Sequence, residues 1–208
     1  MIGLGASPLM RGPSSSAPPV PIPSAWTAST TTGNTNNLFD AAYGAGRFVV
    51  SGINNTIRNS TTALTWSNSS GATGSIDGVC FFKGAFIAGT TSGAGFRSTD
   101  GVTFTSVSIP GLTLHVSASD GIACGAGTGD KVWYTLNGTS FSSITKPNTS
   151  ASNCIFVDPD NGSIWYGTTG IGGGLYRTND LSTWTNPTSP LTGSNSFVGI
   201  CKQNGIVS

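Results

Sequence analysis

The chain has 208 residues, a net charge of +1 and only 8% charged side chains, and its acidic residues are eight aspartates with no glutamate. The absence of a Lys/Arg cluster excludes the basic surface expected for binding nucleic acid or an anionic membrane. No run of residues approaches the roughly 20 apolar positions that cross a bilayer, so we expect no membrane insertion. A chain rich in Gly, Ser, Thr and Asn and without Glu favours an all-β fold.

Residues 1–25 differ from the rest of the chain because they are rich in proline and serine. Six prolines in this stretch favour an extended, polyproline-like arm. One interpretation is a disordered leader, and the other is an anchoring arm that orders on a partner. We prefer the second, because the arm has apolar side chains with which to dock: Ile2, Leu4, Leu9 and Met10.

Residues 26–208 carry a pattern that recurs with a period of about 40 residues, which is typical of propeller blades. Each unit reads as strand, glycine turn, strand, loop, strand, polar turn and a last strand that opens with an aromatic residue. The aromatics recur at similar intervals, and they are Trp66, Phe104, Phe141 and Trp184. The turn glycines follow the same spacing, and they are Gly46, Gly84, Gly121, Gly162 and Gly205. The pattern predicts a β-propeller of four-stranded antiparallel blades, with full repeats at 37–72, 73–110, 111–149 and 150–190 and a partial fifth repeat.

The polar turn is the most regular part of each repeat. Its clearest copy runs from Ser98 through Asp100 and Gly101 to Phe104; a second copy has Asn137, Gly138 and Phe141, and a third has Asp180 and Trp184. These segments resemble the Asp box of sialidase-like and sortilin-like β-propellers. The resemblance implies a structural turn in which the Asp side chain bonds backbone amides and the aromatic packs between sheets. The first repeat, which ends at Trp66, departs from it with Thr61-Thr62-Ala63.

A low-charge propeller behind a proline-rich leader also resembles virion proteins of tailed bacteriophages. This resemblance implies a non-enzymatic structural or adhesion protein of a phage tail or fibre, located in the virion. Residues 1–25 would then bind other virion proteins, and the propeller would be displayed outward as a homo-oligomer, with host surface glycans as candidate ligands. The alternatives are a free glycan-binding lectin and a fragment of a propeller glycosidase.

Few residues offer catalytic chemistry. Sialidases use three arginines, a tyrosine activated by Glu and an acid/base Asp, but this chain has no Glu. We interpret Arg58, Arg97 and Arg177 as repeat-equivalent, which would place them on different blades. A glycosidase needs two carboxylates about 5–9.5 Å apart, for which Asp77 and Asp120, near strand ends, are the candidates. Turn positions are the ordinary place for Asp, so we expect no catalytic residue.

No cofactor or metal site is expected either. The four cysteines, Cys80, Cys124, Cys154 and Cys201, lack metal-type spacing and are interpreted as buried small hydrophobes. His115 is interpreted as a structural strand residue. The Asp158–Gly162 stretch has no downstream Glu to complete a calcium loop, and no helix pattern follows Gly170–Gly174 to make a dinucleotide loop.

The ends of the repeat region allow two interpretations. Trp26 lies one repeat length before Trp66, in register with the repeats, and a fifth repeat begins near Ser194. Either the strand after Trp26 completes the fifth blade and closes the ring, or residues 26–208 are the N-terminal part of a longer propeller. An open sheet edge is unfavourable in both cases. From the sequence alone we slightly favour the longer propeller.

Overall fold

The structure is a computed structural model that describes residues 35–111, 113–169, 174–187, 200, 202–203 and 206–207. The predicted arm, its apolar residues and Trp26 lie outside the described residues. Every regular element in the described part is a β-strand. Within those same ranges no helix is long and apolar enough to cross a membrane.

Three four-stranded antiparallel sheets follow one another along the chain, each in simple sequence order. Blade 1 contains β1 (Leu38–Gly44), β2 (Arg47–Gly52), β3 (Ile57–Ser60) and β4 (Ser67–Asn68). Blade 2 contains β5 (Ile76–Phe82), β6 (Ala85–Thr90), β7 (Ala94–Ser98) and β8 (Thr105–Ser108). Blade 3 contains β9 (His115–Ala118), β10 (Ala123–Ala126), β11 (Lys131–Thr135) and β12 (Ser142–Thr145).

Blade 4 is less regular than the first three. It contains β13 (Ser152–Val157), β14 (Ile164–Thr168) and β15 (Leu175–Thr178). The predicted fourth strand is reduced to one bridge, in which Thr185 pairs with Arg177. Pro187 follows shortly after and has no N–H to continue the ladder. A short hairpin of β16 (Lys202–Gln203) and β17 (Ile206–Val207) forms in the region of the predicted fifth repeat.

The blades pack face to face around an axis. Their first strands, β1, β5, β9 and β13, contact one another in that order, so each blade begins at the axis and ends at the periphery. The cores lie between neighbouring blades and include the fully buried Phe86, Trp133 and Tyr166. Burying each such side chain contributes about 1.5–3 kcal/mol. The all-β fold of successive antiparallel units is therefore confirmed.

The hairpin glycines follow the sequence prediction at three of the four described positions. Gly46, Gly84 and Gly162 have φ values of 72°, 77° and 71°, a region that costs a residue with a Cβ. Gly121 has no positive φ. Its turn instead closes with a hydrogen bond in which the Ser119 N–H donates to the Ile122 carbonyl.

The predicted equivalence of Arg58 with Arg97 and Arg177 is wrong. Arg97 pairs with Ile87 and Arg177 with Trp165, and the residue in the same register of blade 1 is Asn59. Arg58 lies one position earlier, and a shift of one residue places a side chain on the opposite face of a sheet. Arg58 is accordingly buried on the other face of blade 1. Counted from Asn59, the polar turn of the first repeat has the same length as the others.

Candidate functional site

The polar turn of blade 2 is organised by the Asp100 carboxylate. Its Oδ1 atom accepts hydrogen bonds from the N–H groups of Val102 (2.8 Å) and Thr103 (3.0 Å) and from the Ser98 hydroxyl (2.8 Å). The Ser98 hydroxyl oxygen in turn accepts the Gly101 N–H at 2.9 Å. These bonds to backbone and hydroxyl groups lower the pKa of Asp100 to about 2. We call this arrangement the repeat turn.

Blades 3 and 4 contain the same turn with different residues. Asn137 Oδ1 accepts the N–H groups of Thr139 and Ser140 at 2.9 and 2.8 Å. In blade 4, Asp180 Oδ1 accepts the N–H groups of Ser182 and Thr183 at 3.0 and 2.8 Å, and hydrogen bonds from Thr183 and Ser182 likewise lower the pKa of Asp180. An amide oxygen can thus replace the carboxylate, because the turn needs an acceptor and not a charge.

The first blade builds the repeat turn from different residues. The Ser60 hydroxyl oxygen accepts the Ala63 N–H at 2.9 Å, as Ser98 does for Gly101. Thr62 occupies the Asp position, and its hydroxyl oxygen accepts the Leu64 N–H at 3.3 Å. Ala63 has a φ of 61° where blades 2 and 3 have glycine. The irregular sequence therefore keeps the shape of the turn with a different set of hydrogen bonds, among them the Thr62 N–H donating to the Ser60 hydroxyl oxygen and the Trp66 indole N–H donating to the Ala63 carbonyl.

The repeat turns of blades 2, 3 and 4 also join their blades to the preceding ones. Phe104 packs into the core between blades 1 and 2, Phe141 packs against the core between blades 2 and 3, and Trp184 packs against the core between blades 3 and 4. The Trp184 indole N–H donates to the Thr145 carbonyl of blade 3 at 2.8 Å. The predicted turn residues therefore belong to the interfaces between blades.

A polar side chain from the preceding blade reaches the turn from the other side. Arg97 Nε of blade 2 donates to the Gly138 carbonyl of blade 3 at 2.9 Å. Between blades 1 and 2 a relay does the same: Asn59 Nδ2 donates to the Ser69 hydroxyl, which donates to the Gly101 carbonyl at 2.8 Å. In blades 1 and 2 the third strand thus contacts the turn of the next blade, directly in blade 2 and through Ser69 in blade 1.

The candidate binding site is a pocket at the axis. It has a volume of about 400 Å³ and is lined by Phe39, Asp40, Asp77, Leu114, His115, Val116, Asn153, Cys154, Ile155 and Ile200. Blades 1 to 4 contribute residues from the start of their inner strands, and Ile200 comes from the region of the fifth repeat. The pocket therefore combines carboxylate, imidazole and amide groups with an apolar wall.

β-Bulges aim three of these side chains into the pocket. The register of the inner strand shifts between Leu38 and Asp40, between Ile76 and Gly78, and between Ser152 and Cys154. The extra residue at each shift is Phe39, Asp77 or Asn153. A bulge redirects a side chain that an ordinary strand would point elsewhere. The sequence prediction named Asp77, His115 and Cys154, and counted Asp40 among the aspartates without an assigned role, but it did not predict that these residues share one pocket.

The two acids of the pocket have different environments. Asp40 uses both carboxylate oxygens, accepting the Ala41 N–H at 2.8 Å and the Val79 N–H of blade 2 at 3.0 Å. Burial raises the pKa of Asp40, although these hydrogen bonds and the nearby His115 act to lower it. Burial also raises the pKa of Asp77, whose Oδ2 atom is shielded from water and has no hydrogen-bond partner among the described residues. Burial lowers the pKa of His115, although the nearby Asp40 and Asp77 carboxylates act to raise it.

The other candidates from the sequence do not join the pocket. Asp120 is exposed in the loop after β9, at the far end of the inner strands from Asp77. Asp77 lies at the start of an inner strand and Asp120 lies beyond the end of the neighbouring one, so about 20 Å, the length of a strand, separates them. Asp77 and Asp120 therefore do not form a glycosidase pair. The Asp158 carboxylate oxygens accept the Asp160 N–H and the Asn161 side-chain N–H within their own turn.

The described cysteines and one lysine are buried. Cys80, Cys124 and Cys154 are free thiols, and burial raises the pKa of Cys80 to about 12. The side chain of Cys201 lies outside the described residues. Lys146, which the sequence prediction missed, donates from Nζ to the Gly127 and Ser150 carbonyls at 3.0 and 2.9 Å. Burial lowers the pKa of Lys146 to about 8, and the lysine ties blade 3 to the loop that leads into blade 4.

Comparison with known proteins supports the fold. No family model and no curated protein matches the chain. Among solved structures, it is similar to YCF48 bound to a D1 peptide, with 14% identity, a TM-score of 0.58, 73% of this chain and 55% of that chain covered. It is also similar to an extracellular domain assigned to a hybrid two-component system, BT4673 from B. thetaiotaomicron, with 13% identity and a TM-score of 0.65. That match covers 86% of this chain and 27% of that one.

A third similar structure is the computationally designed protein Ika8, with 12% identity, a TM-score of 0.56, and 82% of this chain and 66% of that chain covered. This chain thus spans between about a quarter and two thirds of the length of the structures that it matches. At such identities the likeness defines the fold and nothing further. The chain is a β-propeller protein.

Proposed function

We propose that this protein is a non-enzymatic structural and adhesion module of a tailed-phage virion, with residues 1–25 anchoring it to other virion proteins and the propeller displayed outward. We include in the proposal that the repeat turns are Asp boxes of the sialidase-like and sortilin-like kind. The proline-rich leader and the low charge of the propeller support this assignment. A homo-oligomer is part of the same proposal.

One observation supports a non-catalytic role most directly: the carboxylates are occupied in building the propeller. Asp100 and Asp180 hold repeat turns, and Asp40 bonds two backbone N–H groups, one of them on the next blade. Among the described aspartates of the axial pocket, Asp77 alone keeps a carboxylate oxygen without a partner. Glycoside hydrolysis needs two carboxyl groups that act on the substrate, and the structural roles of Asp40, Asp100 and Asp180 support a non-catalytic protein.

We place the proposed glycan contact at the axial pocket. Phe39 is 47% exposed and offers an aromatic surface beside Asp40, while His115 and Asn153 offer hydrogen-bonding groups. A sugar ring has an apolar face and polar edges, and recognition sites for such ligands combine apolar walls with a few polar groups. The pocket volume of about 400 Å³ lies within the usual range for small-molecule sites.

The anchoring proposal is tested with the full-length chain and particles from its source. Leu4→Asp and Leu9→Asp should abolish co-sedimentation with particles and leave the β-sheet circular dichroism spectrum unchanged. Ser15→Asp, a charge added to the same arm away from its apolar residues, is the matched control and should co-sediment like the wild type. Retained co-sedimentation of the leucine variants would refute the anchoring role.

A free glycan-binding lectin is the second candidate, and the axial pocket is the observation that favours it. The chain alone should then bind an immobilised glycan, and Phe39→Ala should weaken that binding by about tenfold or more. Tyr43→Ala, an exposed aromatic of the same strand outside the pocket, is the control. Binding without particle association would favour the lectin. Hydrolysis of a glycan that disappears in Asp77→Asn would instead establish the third candidate, a glycosidase.

A further inference from the structure

The axial pocket has more negative than positive charge in its wall. The carboxylates of Asp40 from blade 1 and Asp77 from blade 2 both line it. The described lining residues include no Lys or Arg, and their one basic group is the imidazole of His115. Burial disfavours the cationic form of His115, because it lowers the pKa of the imidazole. The described wall therefore offers two carboxylates and no permanent cation to balance them.

Asp77 is the carboxylate that the fold itself explains least. It is the extra residue of the bulge between Ile76 and Gly78, and the bulge turns its side chain toward the pocket. Its Oδ2 atom has no hydrogen-bond partner among the described residues. Burial raises the pKa of Asp77, so the ionised carboxylate lowers the stability of the folded protein at neutral pH. A carboxylate that is kept in a pocket against stability is typical of a functional site.

The neighbouring groups of the pocket suit a sugar ring. Phe39 is 47% exposed and offers an aromatic surface, and the Asn153 amide can both donate and accept hydrogen bonds. The Asp40 carboxylate accepts the Ala41 and Val79 N–H groups, and each of its oxygens has a second lone pair for another donor. Apolar surface, amide and carboxylates therefore meet in one cavity of about 400 Å³.

We propose that the axial pocket binds a sugar that carries a primary ammonium group, such as a glucosamine unit without its acetyl group, with Asp77 and Asp40 as the partners of the ammonium. This inference rests on the glycan contact proposed above and narrows it to one class of glycan. An ammonium has three N–H donors and a positive charge, which complement two carboxylates. The sugar ring packs against Phe39.

The same charges give the pocket its selectivity. An N-acetyl group removes the positive charge of the amine, so an acetylated sugar loses the charge-assisted hydrogen bonds to the aspartates. A sugar acid brings a carboxylate close to Asp40 and Asp77, and like charges repel. We therefore expect amino sugars to bind most tightly, followed by neutral sugars and then by acidic ones.

The first test is calorimetric titration of the full-length chain with a short glucosamine oligosaccharide and with its fully N-acetylated counterpart. At a pH slightly below neutral, where the amine is protonated, the glucosamine oligosaccharide should bind about tenfold more tightly or better. Equal binding of the two sugars would overturn the ammonium assignment and leave the glycan contact standing. If neither sugar bound, both this inference and the glycan contact on which it rests would be refuted.

The second test replaces the carboxylate by an amide of the same shape. Asp77→Asn should weaken binding of the glucosamine oligosaccharide by about tenfold, and it should keep or raise the midpoint of urea unfolding. Asp120→Asn is the matched control: it removes the same charge about 20 Å away, beyond the roughly 8 Å over which charges act in physiological salt, and should leave binding unchanged. A lowered midpoint of Asp77→Asn with an unchanged preference for the amino sugar would show a structural role and overturn the proposal.

A third titration separates the sugar from its charge. Spermidine carries ammonium groups but no sugar ring, so it should bind about tenfold more weakly than the glucosamine oligosaccharide. Phe39→Ala should weaken binding of the oligosaccharide and bring its affinity closer to that of spermidine. If spermidine bound as tightly as the oligosaccharide to the wild type, the pocket would recognise an amine of any kind, and the assignment to an amino sugar would be wrong.

Discussion

The repeat turn of blade 2 gives the sharpest test of how the fold is held together. Asp100→Ala removes the acceptor of the Val102 and Thr103 N–H groups and of the Ser98 hydroxyl. Losing a side-chain cap of this kind costs about 1–2 kcal/mol. Asp100→Asn keeps an acceptor in the same place, as Asn137 does in blade 3, and should cost less than about 1 kcal/mol.

The pH dependence follows from the direction of the pKa shift. The pKa of Asp100 is about 2 in the folded protein and 3.8 in the unfolded chain, so the unfolded state binds the proton more tightly. The carboxylate therefore stabilises the fold above about pH 4 and loses that contribution as the pH falls through about 2. The full pKa shift of Asp100 corresponds to a contribution of about 2.4 kcal/mol to the free energy of unfolding. Solvent screening at this exposed site reduces that contribution to about 1 kcal/mol.

Urea unfolding of the wild type, Asp100→Asn and Asp100→Ala at about pH 6 and about pH 3 measures both quantities. The difference in free energy of unfolding between the wild type and Asp100→Asn should be much smaller at the lower pH. Asp100→Ala should be the least stable of the three at both pH values. Asp130→Asn is the control, because its exposed pair with Lys131 at 3.6 Å should contribute almost nothing. If Asp100→Asn and Asp100→Ala were equally destabilised, the turn would depend on charge and the hydrogen-bond argument would be refuted.

Three further substitutions test packing, turn conformation and a buried cation by the same unfolding measurement. Gly125→Ala should lower the free energy of unfolding by about 1–3 kcal/mol, because the new Cβ would lie 2.5 Å from the Trp133 ring. Gly121→Ala is the control and should be near neutral, because nothing lies within 4 Å of its Cβ. Equal effects of the two substitutions would contradict the packing. Ala63→Gly should raise the free energy of unfolding by about 0.5–1 kcal/mol, since the φ of Ala63 is 61° and blades 2 and 3 have glycine at this position. A decrease in stability would show that the Ala63 Cβ makes a stabilising contact. Lys146→Met should lower the free energy of unfolding by about 2–3 kcal/mol, because it leaves the Gly127 and Ser150 carbonyls without their donor. An unchanged stability would mean that water replaces the lysine.

The repeat architecture could be predicted from the amino-acid sequence. Local signals are strong here because every blade repeats the same turn, with a hydroxyl, in most blades an Asp or Asn, and an aromatic at constant spacing. The Asn137 turn shows why the spacing persists when the residue changes: an amide oxygen accepts the same backbone N–H groups as a carboxylate. A pattern that each unit satisfies alone can be read from a single sequence.

Which residues contact one another could not be predicted from the sequence. Arg58 and Asn59 are neighbours in sequence, but the β2–β3 register turns Asn59 toward blade 2 and Arg58 to the opposite face. Phe39, Asp77 and Asn153 share the axial pocket because a bulge occurs at the start of each of their strands. Register and bulges depend on pairing between strands, and a one-residue shift reverses every side chain. The period of the sequence therefore specified the blades, while contacts between strands specified the pocket.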